Sequence, residues 1–437
     1  MNYIGIDIGT SSISSVVYNQ PTGKVESFTF PNNTSVISEA TWEKAQDPQQ
    51  ILKIVEDILS DFFEKYTDIG GIGISGQMHG MLYTNNNGDA VSPLYTWQDG
   101  RGNLLYKEGI TYAEYLSEAT EHNVSTGYGL VTHFYNTNNA LLPDEAVYIC
   151  TIMDYVVMKL TGRKKPVTDH SNAASLGFFD IENLDFDRRA LYIAGIETSI
   201  LPELMDAKSC CGYYRNTPVF PAIGDNQAAF AGSVADKNKS IHITVGTSSQ
   251  ISVFSDSYIK IPGLDTRPFP GGGYLLVGAA LCGGQAFATL KVFFEKTLKM
   301  LSVKEAGDID IYNFMTSVPY KDNTQDIPEV STLFDGTRSA PLERGTINNI
   351  STSNFTPENL VIGFLKGISD ELYGFYNNIP DNIKNEKKSI TGSGNALKKN
   401  PLLCKAFEEQ FNLGLEFSQS GEEAAFGACL LSLNTLL

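Results

Sequence analysis

Two stretches of the chain follow one plan, in which an apolar alternation leads into a Gly-Thr-Ser-Ser turn and a second alternation. The first stretch is 4–16 and the second is 241–253, so the offset between them is 237 residues. Apolar residues at every second position predict β-strands, and a short glycine-containing turn between two such runs predicts a β-hairpin. A supersecondary unit that recurs at half the chain length indicates two similar domains.

Longer periodic segments alternate with these strands. A proline after Asp47 and apolar residues at helical spacing predict a helix from Asp47 to about Tyr66. Alternating residues then predict a strand at 69–74, most of 135–162 has a helical pattern, and a strand leads into a helix at 219–230. The second half is predicted to contain a strand near 274–281, helices near 285–301 and 357–378, and a strand at 389–391.

Strands that alternate with helices indicate an α/β fold. The chain has 437 residues, which exceeds what one hydrophobic core usually holds, so two domains are expected. We predict domains at 1–232 and 238–437, with the boundary near 232–240, where residues 234–240 are polar and break the pattern. Residues 302–356 have weak periodicity and many turn-forming residues, which predicts a loop-rich insertion.

Composition narrows the class of protein. Hydrophobic residues make up 42% of the chain and charged residues 19%, which is typical of a folded protein. The net charge of −18 argues against duplex nucleic acid or an anionic membrane as a partner. No apolar run is long enough for a membrane span, and the six cysteines have no CxxC spacing, so a cytoplasmic protein with reduced thiols and no zinc is expected.

The two Gly-Thr-Ser-Ser turns offer groups that bind phosphate. Each presents backbone N–H groups and hydroxyls, and glycine leaves the backbone open to close approach. The first alternation carries Asp7 where the second carries Thr244. A carboxylate on one hairpin only predicts a nucleotide cleft with a metal on one side. Two ordinary hairpins with glycine turns are the alternative.

A second acidic site lies in Ile223-Gly-Asp-Asn-Gln-Ala-Ala229, where a predicted strand meets a helix. At such an edge the carboxylate of Asp225 faces the space above the sheet, beside the amide groups of the helix N-terminus. A helix-capping aspartate with no further role is the alternative. Similarly, the small residues of Thr391-Gly-Ser-Gly-Asn-Ala-Leu397 allow a base or ribose to approach the backbone, or form a plain strand–helix connection.

Two short loops carry chemistry that suits a polyol. Gln77-Met-His-Gly80 follows the predicted strand at 69–74, and Thr96-Trp-Gln-Asp-Gly-Arg101 places an indole, a carboxylate and a guanidinium together. Asp and Arg form bidentate hydrogen bonds with vicinal hydroxyls, and Trp offers an apolar face. A structural histidine and a core tryptophan are the alternatives for each loop taken alone.

One motif is misleading. Gly71-Ile-Gly-Ile-Ser-Gly76 has the spacing of a dinucleotide fingerprint, but that fingerprint needs a strand before it and a helix after it. Here the segment is itself the predicted strand and no helix follows. The phosphate-loop pattern G-x-x-x-x-G-K-[ST] does not occur in the sequence, so neither dinucleotide-dependent nor P-loop chemistry is expected.

Together these segments resemble the FGGY family of carbohydrate kinases, whose fold is the actin-like ATPase fold. The segments that carry the resemblance are, in order, Asp7-Ile-Gly-Thr10, Gly76-Gln-Met-His-Gly80, Trp97-Gln-Asp-Gly-Arg101, Gly224-Asp-Asn-Gln-Ala228, Gly246-Thr-Ser248, Gly283-Gly284 and Thr391-Gly-Ser-Gly-Asn395. Within the family the chain is most similar to sedoheptulokinase and then to xylulokinase. Three further segments add to the likeness to sedoheptulokinase: Thr126-Gly-Tyr-Gly129, Asp154-Tyr-Val-Val157 and Asn172-Ala-Ala-Ser175.

The resemblance implies a fold and a set of site residues. Two repeated actin-like, ribonuclease H-like domains would flank a nucleotide and sugar cleft, with the sugar on the first domain and ATP on the second. Asp225 would be the general base and would hold Mg²⁺ with Asp7, largely through water. The implied sugar contacts are Gln77, Met78, His79, Trp97, Asp99, Arg101, Asp225 and Asn226. The implied nucleotide contacts are Gly9, Thr10, Ser11, Gly246, Thr247, Ser248, Gly284, Gly392, Ser393, Gly394 and Asn395.

The resemblance also implies an activity. It predicts phosphorylation of a ketose hydroxyl by ATP and Mg²⁺, with sedoheptulose 7-phosphate as the expected product. Xylulokinase, or another pentose or polyol kinase, is one alternative. A non-catalytic actin-like ATPase or regulator is the alternative from a different class. A homodimer is a further expectation.

Overall fold

The computed structural model describes residues 1–301, 310–320, 326–337, 340–418 and 420–433. It divides into two compact units. Unit 1 comprises Met1–Gly232, Arg267–Tyr274 and Ser420–Leu437, and unit 2 comprises Ser233–Thr266 and Leu275–Gln419. Within the described ranges, every helix is too short or too polar to cross a lipid bilayer.

The first 233 residues contain many short strands and seven α-helices, together with 3₁₀ turns at Arg101–Asn103, Ala174–Leu176 and Thr198–Ile200. The strands are β1 (Asn2–Ile8), β2 (Ser12–Asn19), β3 (Lys24–Pro31), β4 (Ser35–Val36), β5 (Ala45–Gln46), β6 (Ile69–Gly76), β7 (Leu82–Thr84), β8 (Leu94–Tyr95), β9 (Tyr148–Cys150), β10 (Val167–Thr168), β11 (Phe179–Asp180), β12 (Asp185–Phe186), β13 (Glu203–Leu204), β14 (Gly212–Tyr214), β15 (Thr217–Val219) and β16 (Ile223–Gly224). The helices are α1 (Pro48–Lys65), α2 (Tyr112–Thr120), α3 (Gly129–Asn138), α4 (Ile152–Thr161), α5 (His170–Ala173), α6 (Arg188–Ala194) and α7 (Asp225–Ser233).

The remainder of the described chain repeats the mixture. Its strands are β17 (Ser240–Val245), β18 (Ser249–Ser255), β19 (Asp265–Pro268), β20 (Tyr274–Ala280), β21 (Glu329–Val330), β22 (Ile347–Asn348), β23 (Ser389–Ser393) and β24 (Gly414–Phe417). Its helices are α8 (Gly284–Met300), α9 (Ile311–Ser317), α10 (Pro357–Asn377), α11 (Asp381–Lys384), α12 (Asn395–Lys399), α13 (Pro401–Phe411) and α14 (Glu423–Ser432).

The central sheet of unit 1 has the order β14–β15–β6–β1–β2–β3, and β16 pairs with β6 outside this path. Strand β1 is antiparallel to β2 and parallel to β6, and both β15 and β16 are parallel to β6. The isoleucines of β1, together with Ile72 and Ile74 of β6, are fully buried and pack with residues of α1 and α4 in one core. Strands β1, β6 and β16 run in the same direction, so their carboxyl ends lie at the same edge of the sheet.

Unit 2 contains a sheet of the same plan, with the order β19–β20–β18–β17–β23–β24. Strand β17 is antiparallel to β18 and parallel to β23, and β23 is parallel to β24. The run β18–β17–β23–β24 thus matches β2–β1–β6–β15 of unit 1. The repeat that the sequence predicts from two hairpins extends to the parallel strands beside them.

The last helix does not follow the division predicted from the sequence. We expected 238–437 to form one domain, whereas α14 lies in unit 1, where it packs on β1 and β6. Glycine makes this contact possible, because a Cβ at Gly5 would lie 1.9 Å from the Ala425 carbonyl oxygen and a Cβ at Gly73 would lie 1.8 Å from that of Ala428. The chain therefore returns to the first sheet at its end.

Most predicted elements are present with small shifts of their ends. Helix α1 begins after Asp47, whose carboxylate accepts the N–H groups of Gln49 and Gln50, and it ends at Lys65. One prediction was wrong: Tyr148–Cys150 is a strand, because the helix begins only at the capping box of Thr151 and Asp154. Of the predicted insertion at 302–356, residues 302–309, 321–325 and 338–339 lie outside the described residues, and the rest contains α9, β21 and β22.

Candidate active site

The ends of three parallel strands place two carboxylates at one edge of the unit 1 sheet. Asp7 is opposite Ser75 in the pairing of β1 with β6, and Ile223 of β16 is opposite the same Ser75. Gly224 is paired with Gly76, so Asp225 comes directly after the strand and opens α7. The carboxyl ends of parallel strands are where α/β proteins place their ligands, and this edge holds both acidic residues predicted from the sequence.

Burial raises the pKa of both carboxylates, and the charge of Asp225 acts on Asp7. Burial raises the pKa of Asp7 to about 7, and the nearby charge of Asp225 adds to this, while the Ser75 hydroxyl, which donates to Asp7 Oδ1 at 2.8 Å, opposes it. Burial likewise raises the pKa of Asp225 to about 6, against the Asn226 N–H and the Arg267 guanidinium, which lower it. Two negative charges held close together in a half-buried site are the arrangement that a divalent cation relieves.

The donor set fits magnesium better than a tightly chelated transition metal. Among the residues that the structure describes, no group of three or more His, Cys, Asp or Glu side chains is arranged to hold a metal ion. Mg²⁺ keeps several of its water ligands and commonly binds through one or two carboxylates together with substrate phosphates. The Asp7 and Asp225 carboxylates supply the number and kind of protein ligand that such a site needs.

The loop after β6 lies against the residue that precedes Asp225. A Cβ at Gly224 would lie 2.7 Å from the Met78 sulfur, so glycine at this position lets the Met78 side chain approach. His79 follows with φ at +75°, a conformation unusual for a side-chain-bearing residue, and its ring stacks on Tyr128 with centroids 4.4 Å apart. Met78 and His79 therefore belong to the same edge of the sheet as the carboxylates.

A network of hydrogen bonds joins the first glycine turn to both candidate sugar loops. The Trp97 indole N–H donates to Thr10 Oγ1 at 3.0 Å, and the Thr10 hydroxyl donates to Gln77 Oε1 at 3.1 Å. Gln77 Nε2 donates to Gln46 Oε1 at 2.8 Å, and Gln46 Nε2 donates back to the Thr10 carbonyl at 2.9 Å. Trp97 remains 47% exposed, so its ring is held in place with a face in contact with solvent. Gly9 and Ser11 flank Thr10 in this turn.

Asp99 and Arg101 are placed differently from the sequence prediction, which had both contact a sugar. Asp99 is 0% exposed and Arg101 is 1% exposed. Arg101 Nε donates to Asp99 Oδ1 at 2.7 Å, and the Lys44 N–H donates to Asp99 Oδ2 at 3.1 Å. The guanidinium also lies 3.9 Å from the Tyr95 ring centroid. Because both side chains are enclosed and bonded to protein groups, we infer that they brace the loop that presents Trp97 instead of contacting a sugar.

In unit 2 the turn Gly246–Ser248 lies against the start of α8. The N–H groups of Gly284 and Gln285 donate to the carbonyls of Gly246 and Thr247 at 2.8 and 3.0 Å. Thr247 and Ser248 are exposed, and a Cβ added to Gly246 would meet no atom within 4 Å. This turn has the open backbone surface that phosphate binding requires.

The strand–turn–helix segment at β23 and α12 joins the same region of unit 2. A Cβ at Gly394 would lie 2.4 Å from the Val245 carbonyl oxygen, and φ at this glycine is +88°. Asn395 is exposed at the start of α12, but Gly392 is buried within β23. Ser393 is 2% exposed and its hydroxyl bonds to His242 Nε2 and Thr244 Oγ1, so only the backbone of Gly392 and Ser393 is left to border a ligand.

Three residues of the site carried no assigned role in the sequence analysis. Arg267 donates to Asn226 Oδ1 at 3.1 Å and lowers the pKa of Asp225, although it lies 42 positions away in the chain. Ser175 hydrogen-bonds to His79, and Tyr128 stacks on it. Tyr128 and Ser175 fall within segments that resemble sedoheptulokinase, which was a usable signal, whereas Arg267 belongs to no recognisable motif.

Comparison with known families identifies the chain. Residues 2–240, more than half of the protein, match the N-terminal domain of the FGGY family of carbohydrate kinases. The chain therefore belongs to this family. It is a carbohydrate kinase, an enzyme that transfers a phosphoryl group from ATP to a small-molecule sugar. The fold is the two-domain actin-like fold of these sugar kinases, as predicted.

Individual relatives cover nearly the whole chain. The sedoheptulokinase of Mus musculus is 26% identical over 474 aligned positions, which span 98% of this chain and 97% of that protein. The crystal structure of ligand-bound xylulose kinase from Lactobacillus acidophilus superposes with a TM-score of 0.78 at 20% identity, covering 100% of this chain and 89% of that one. Plasmodium falciparum glycerol kinase with ADP gives a TM-score of 0.78 at 20% identity, covering 98% and 88%. At these identities the structural likeness concerns the fold alone.

Proposed function

We propose that the protein phosphorylates sedoheptulose to sedoheptulose 7-phosphate with Mg²⁺ and ATP. The similarity to mouse sedoheptulokinase over almost the full length of both chains supports this substrate. The single structural observation that carries the kinase chemistry is the pair Asp7 and Asp225 at one strand edge, where each pKa is raised. The first domain is proposed to bind the sugar and the second to bind ATP.

Asp225 is proposed to act as the general base. The proton of the sugar's terminal hydroxyl passes to the Asp225 carboxylate while that oxygen bonds to the γ-phosphorus of ATP and the bond to the ADP oxygen breaks. A pKa of about 6 leaves Asp225 ionised at neutral pH and makes it a stronger base than an ordinary aspartate. Position and electrostatics supply most of the rate in phosphoryl transfer, and a base at the end of a rigid strand suits that demand.

Asp7 and Asp225 are proposed to hold Mg²⁺, largely through water. The ion would neutralise charge on the phosphates, and binding it would offset the burial of Asp7 and the repulsion from Asp225, which together raise the pKa of Asp7. The proposed sugar contacts are Met78, His79, Trp97, Asp225 and Asn226, whereas Gln77, which is 4% exposed and hydrogen-bonded to Thr10 and Gln46, is proposed to hold its loop in place. The proposed nucleotide contacts are Gly9, Thr10, Ser11, Gly246, Thr247, Ser248, Gly284, Gly394 and Asn395, with the backbone of Gly392 and Ser393.

Xylulose is the second candidate substrate. The Gln77-Met-His and Trp97–Arg101 segments resemble xylulokinase as well, and the fold matches solved xylulose kinases. Both candidates are ketoses, so they need the same base and differ in chain length. A homodimer stays a prediction.

A coupled assay of ADP release tests the proposal directly. Purified protein is supplied with ATP, Mg²⁺ and, in turn, sedoheptulose, xylulose, ribulose, glycerol and no acceptor. We expect the highest kcat/KM with sedoheptulose, and ³¹P and ¹³C NMR of the product locate the phosphate on the terminal carbon. Turnover confined to glycerol, or the same ADP release without any acceptor, contradicts the proposal.

The role of Asp225 is tested with Asp225→Asn. The variant keeps the shape of the side chain but removes its basicity, so we expect turnover to fall by about 10²–10⁴-fold, the range for general-base catalysis, with the fold retained. Asp47→Asn is the matched control, because Asp47 also lies at a helix N-terminus of unit 1 and asparagine keeps the cap. More than a tenth of wild-type turnover in Asp225→Asn removes this residue as the base.

A further inference from the structure

Residues 169–175, called here the 169–175 segment, form α5 and most of the 3₁₀ turn after it. None of these residues was assigned to the sugar, the nucleotide or the metal. Ser171, Asn172 and Ser175 are almost completely buried, at 0%, 0% and 3% exposure. Buried hydroxyls and amides need hydrogen-bond partners, and the partners of this segment lead to two residues of the site.

The first link joins Ser175 to His79. The Ser175 hydroxyl donates to the Asn172 carbonyl at 2.7 Å and accepts the His79 backbone N–H at 3.1 Å. The Ser175 carbonyl oxygen lies 2.9 Å from His79 Nδ1. A carbonyl oxygen can only accept, so Nδ1 must carry a proton, and in the neutral imidazole the lone pair is then on Nε2.

The unusual backbone conformation of His79 shows why its hydrogen bonds to Ser175 are important. Its φ of +75° is costly for a residue with a side chain, and such a conformation persists only where the surroundings hold it. The hydrogen bond to the Ser175 hydroxyl and the stacked Tyr128 ring both stabilise this conformation. Orientation and tautomer of the imidazole are therefore set by residues that need not touch the substrate.

The second link leads to the residue before Asp225. The Ser171 hydroxyl donates to Asp169 Oδ1 at 2.6 Å and accepts the Gly224 N–H at 3.4 Å. Gly224 ends β16, so its position sets where the Asp225 side chain begins. Asp169 also accepts the Ala207 N–H at 3.1 Å, which ties this link to a further part of unit 1.

The segment is itself anchored to α4. Asn172 Nδ2 donates to Asp154 Oδ1 at 3.0 Å and to Thr151 Oγ1 at 2.9 Å. All three side chains are 0% exposed. These buried hydrogen bonds fix the position of the 169–175 segment relative to α4.

We infer that the 169–175 segment positions both the imidazole of His79 and the strand end that carries Asp225, Ser175 acting on the first and Ser171 on the second. Nε2 of His79 is then the acceptor for a sugar hydroxyl. The effect on turnover rests on the proposed function, whereas the tautomer of His79 does not.

¹⁵N NMR of histidine in the free protein at pH 8.5 tests the tautomer, with the His79 signal assigned by its loss in His79→Gln. We expect the proton on Nδ1 both in wild type and in Ser175→Ala, because alanine keeps the backbone carbonyl oxygen that accepts the Nδ1 proton and loses only the hydroxyl bonded to the His79 N–H. A wild-type His79 with its neutral proton on Nε2 overturns the inference.

Steady-state kinetics test the positioning. Losing one buried hydrogen bond commonly changes an affinity about tenfold, so Ser175→Ala should raise the ketose KM by about that factor and leave the ATP KM unchanged. Ser171→Ala should lower kcat more than it raises the ketose KM, and Ser175→Thr, which keeps the hydroxyl, should restore the KM. The control is Ser15→Ala, a fully buried serine of β2 whose hydroxyl has no hydrogen-bond partner.

The outcomes separate this inference from the proposed function. Equal changes in the ATP and ketose KM values, or no rescue by Ser175→Thr, overturn the positioning role. Wild-type protein that phosphorylates no ketose removes the proposed function, while the NMR result still decides the His79 geometry. Ser175→Ala protein that has lost its fold is recognised by circular dichroism, and the wild-type tautomer then decides alone.

Discussion

The two hairpins at the start of the two sheets occupy equivalent positions, but only one of them carries a charge. In unit 1 the Ser75 hydroxyl donates to Asp7 Oδ1 at 2.8 Å, and in unit 2 the hydroxyls of Thr244 and Ser393 are 2.7 Å apart. The pairings Asp7–Ser75 and Thr244–Ser393 are the same step of the same parallel strand pair. One cross-strand contact therefore serves as an acidic site in unit 1 and as a neutral structural bond in unit 2.

The turns differ as well. Ile8 pairs with Ile13 in unit 1, which leaves four residues in the turn, whereas Val245 pairs with Ser249 in unit 2, which leaves three. The repeated Gly-Thr-Ser-Ser sequence therefore lies in a different strand register in each unit. In unit 1 these four residues form a loop that is hydrogen-bonded to Gln77 and Trp97. In unit 2 the turn is one residue shorter, and a Cβ at its glycine would meet no atom within 4 Å.

The comparison teaches that duplicated architecture does not require duplicated chemistry. Each unit retains the strand order, and each has acquired a different set of groups at the strand edge. Unit 1 carries the electrostatic cost of a buried carboxylate, which functional sites commonly bear at the expense of stability. Unit 2 bears no such cost at Thr244, and burial even lowers the pKa of the neighbouring His242 to about 4, so that it is neutral.

The largest expected effect comes from removing the charge that distinguishes the two hairpins. Asp7→Asn should lower kcat at about 1 mM Mg²⁺ by at least about 10²-fold, comparable to the loss of a main electrostatic contribution to catalysis, with partial recovery at raised Mg²⁺. Thr244→Val at the equivalent place should leave kcat within about threefold, because only a structural hydrogen bond is lost. Similar losses of activity in both variants would show that the two hairpins do not differ in role.

A smaller effect is expected at the unit 2 turn. Gly246→Val adds atoms where a Cβ meets nothing within 4 Å, so the fold should be retained while phosphate approach is blocked. We expect the ATP KM to rise about tenfold with little change in the ketose KM, since close backbone approach is what glycine permits. Gly414→Val, a second open glycine of unit 2, is the control, and an ATP KM equal in the two variants removes this turn from the nucleotide site.

The structure also shows why a valine substitution at Gly392 would not test nucleotide binding, although the glycine-rich sequence around it suggests a nucleotide contact. Gly392 is buried in β23 and a Cβ there would lie 3.1 Å from Leu415, so a larger side chain disturbs the sheet before it meets a nucleotide. A glycine-rich motif indicates that another group approaches the backbone closely, but it does not tell whether that group belongs to a ligand or to the protein itself.

Much of the fold could be predicted because its signals are local. The hairpins, the strand at β6 and the helix α1 follow from alternation, turns and a cap within a few residues. The proximity of Asp7 to Asp225 also follows from such signals, since both come at the ends of strands that pair in parallel with β6. Local patterns sufficed wherever the deciding contacts lie along one strand or helix.

The parts that could not be predicted depend on contacts distant in the chain. The placement of α14 in unit 1 requires that Gly5 and Gly73 accept a helix from the end of the sequence. The enclosure of Arg101 depends on the rings of Trp42 and Tyr135, each 5.6 Å from the guanidinium. A motif supplies the residue types at a site, whereas distant packing decides which of them remain available to a ligand.

The smallest expected effect tests whether unit 1 bears a stability cost that unit 2 lacks. The folded protein holds the pKa of Asp7 at about 7, above its ordinary value of 3.8, so between these values the folded state binds a proton that the unfolded state releases. The stabilising contribution of the neutral carboxyl is complete below pH 4 and is lost as the pH rises through 7. Asp7→Asn should therefore match wild type in Tm near pH 4.

At pH 8, in EDTA and without nucleotide, the same variant should melt higher than wild type by at least about 5 °C. The rise of the Asp7 pKa from 3.8 to about 7 corresponds to about 2 kcal/mol or more, and 1 kcal/mol moves Tm by about 2–4 °C in domains of this size. Differential scanning calorimetry across pH 4–8 measures the difference, and Thr244→Val should show no such dependence on pH. A Tm difference between Asp7→Asn and wild type that is constant over this range would mean that the Asp7 carboxylate is ionised without cost. The two hairpins would then differ in chemistry but not in the stability of their units.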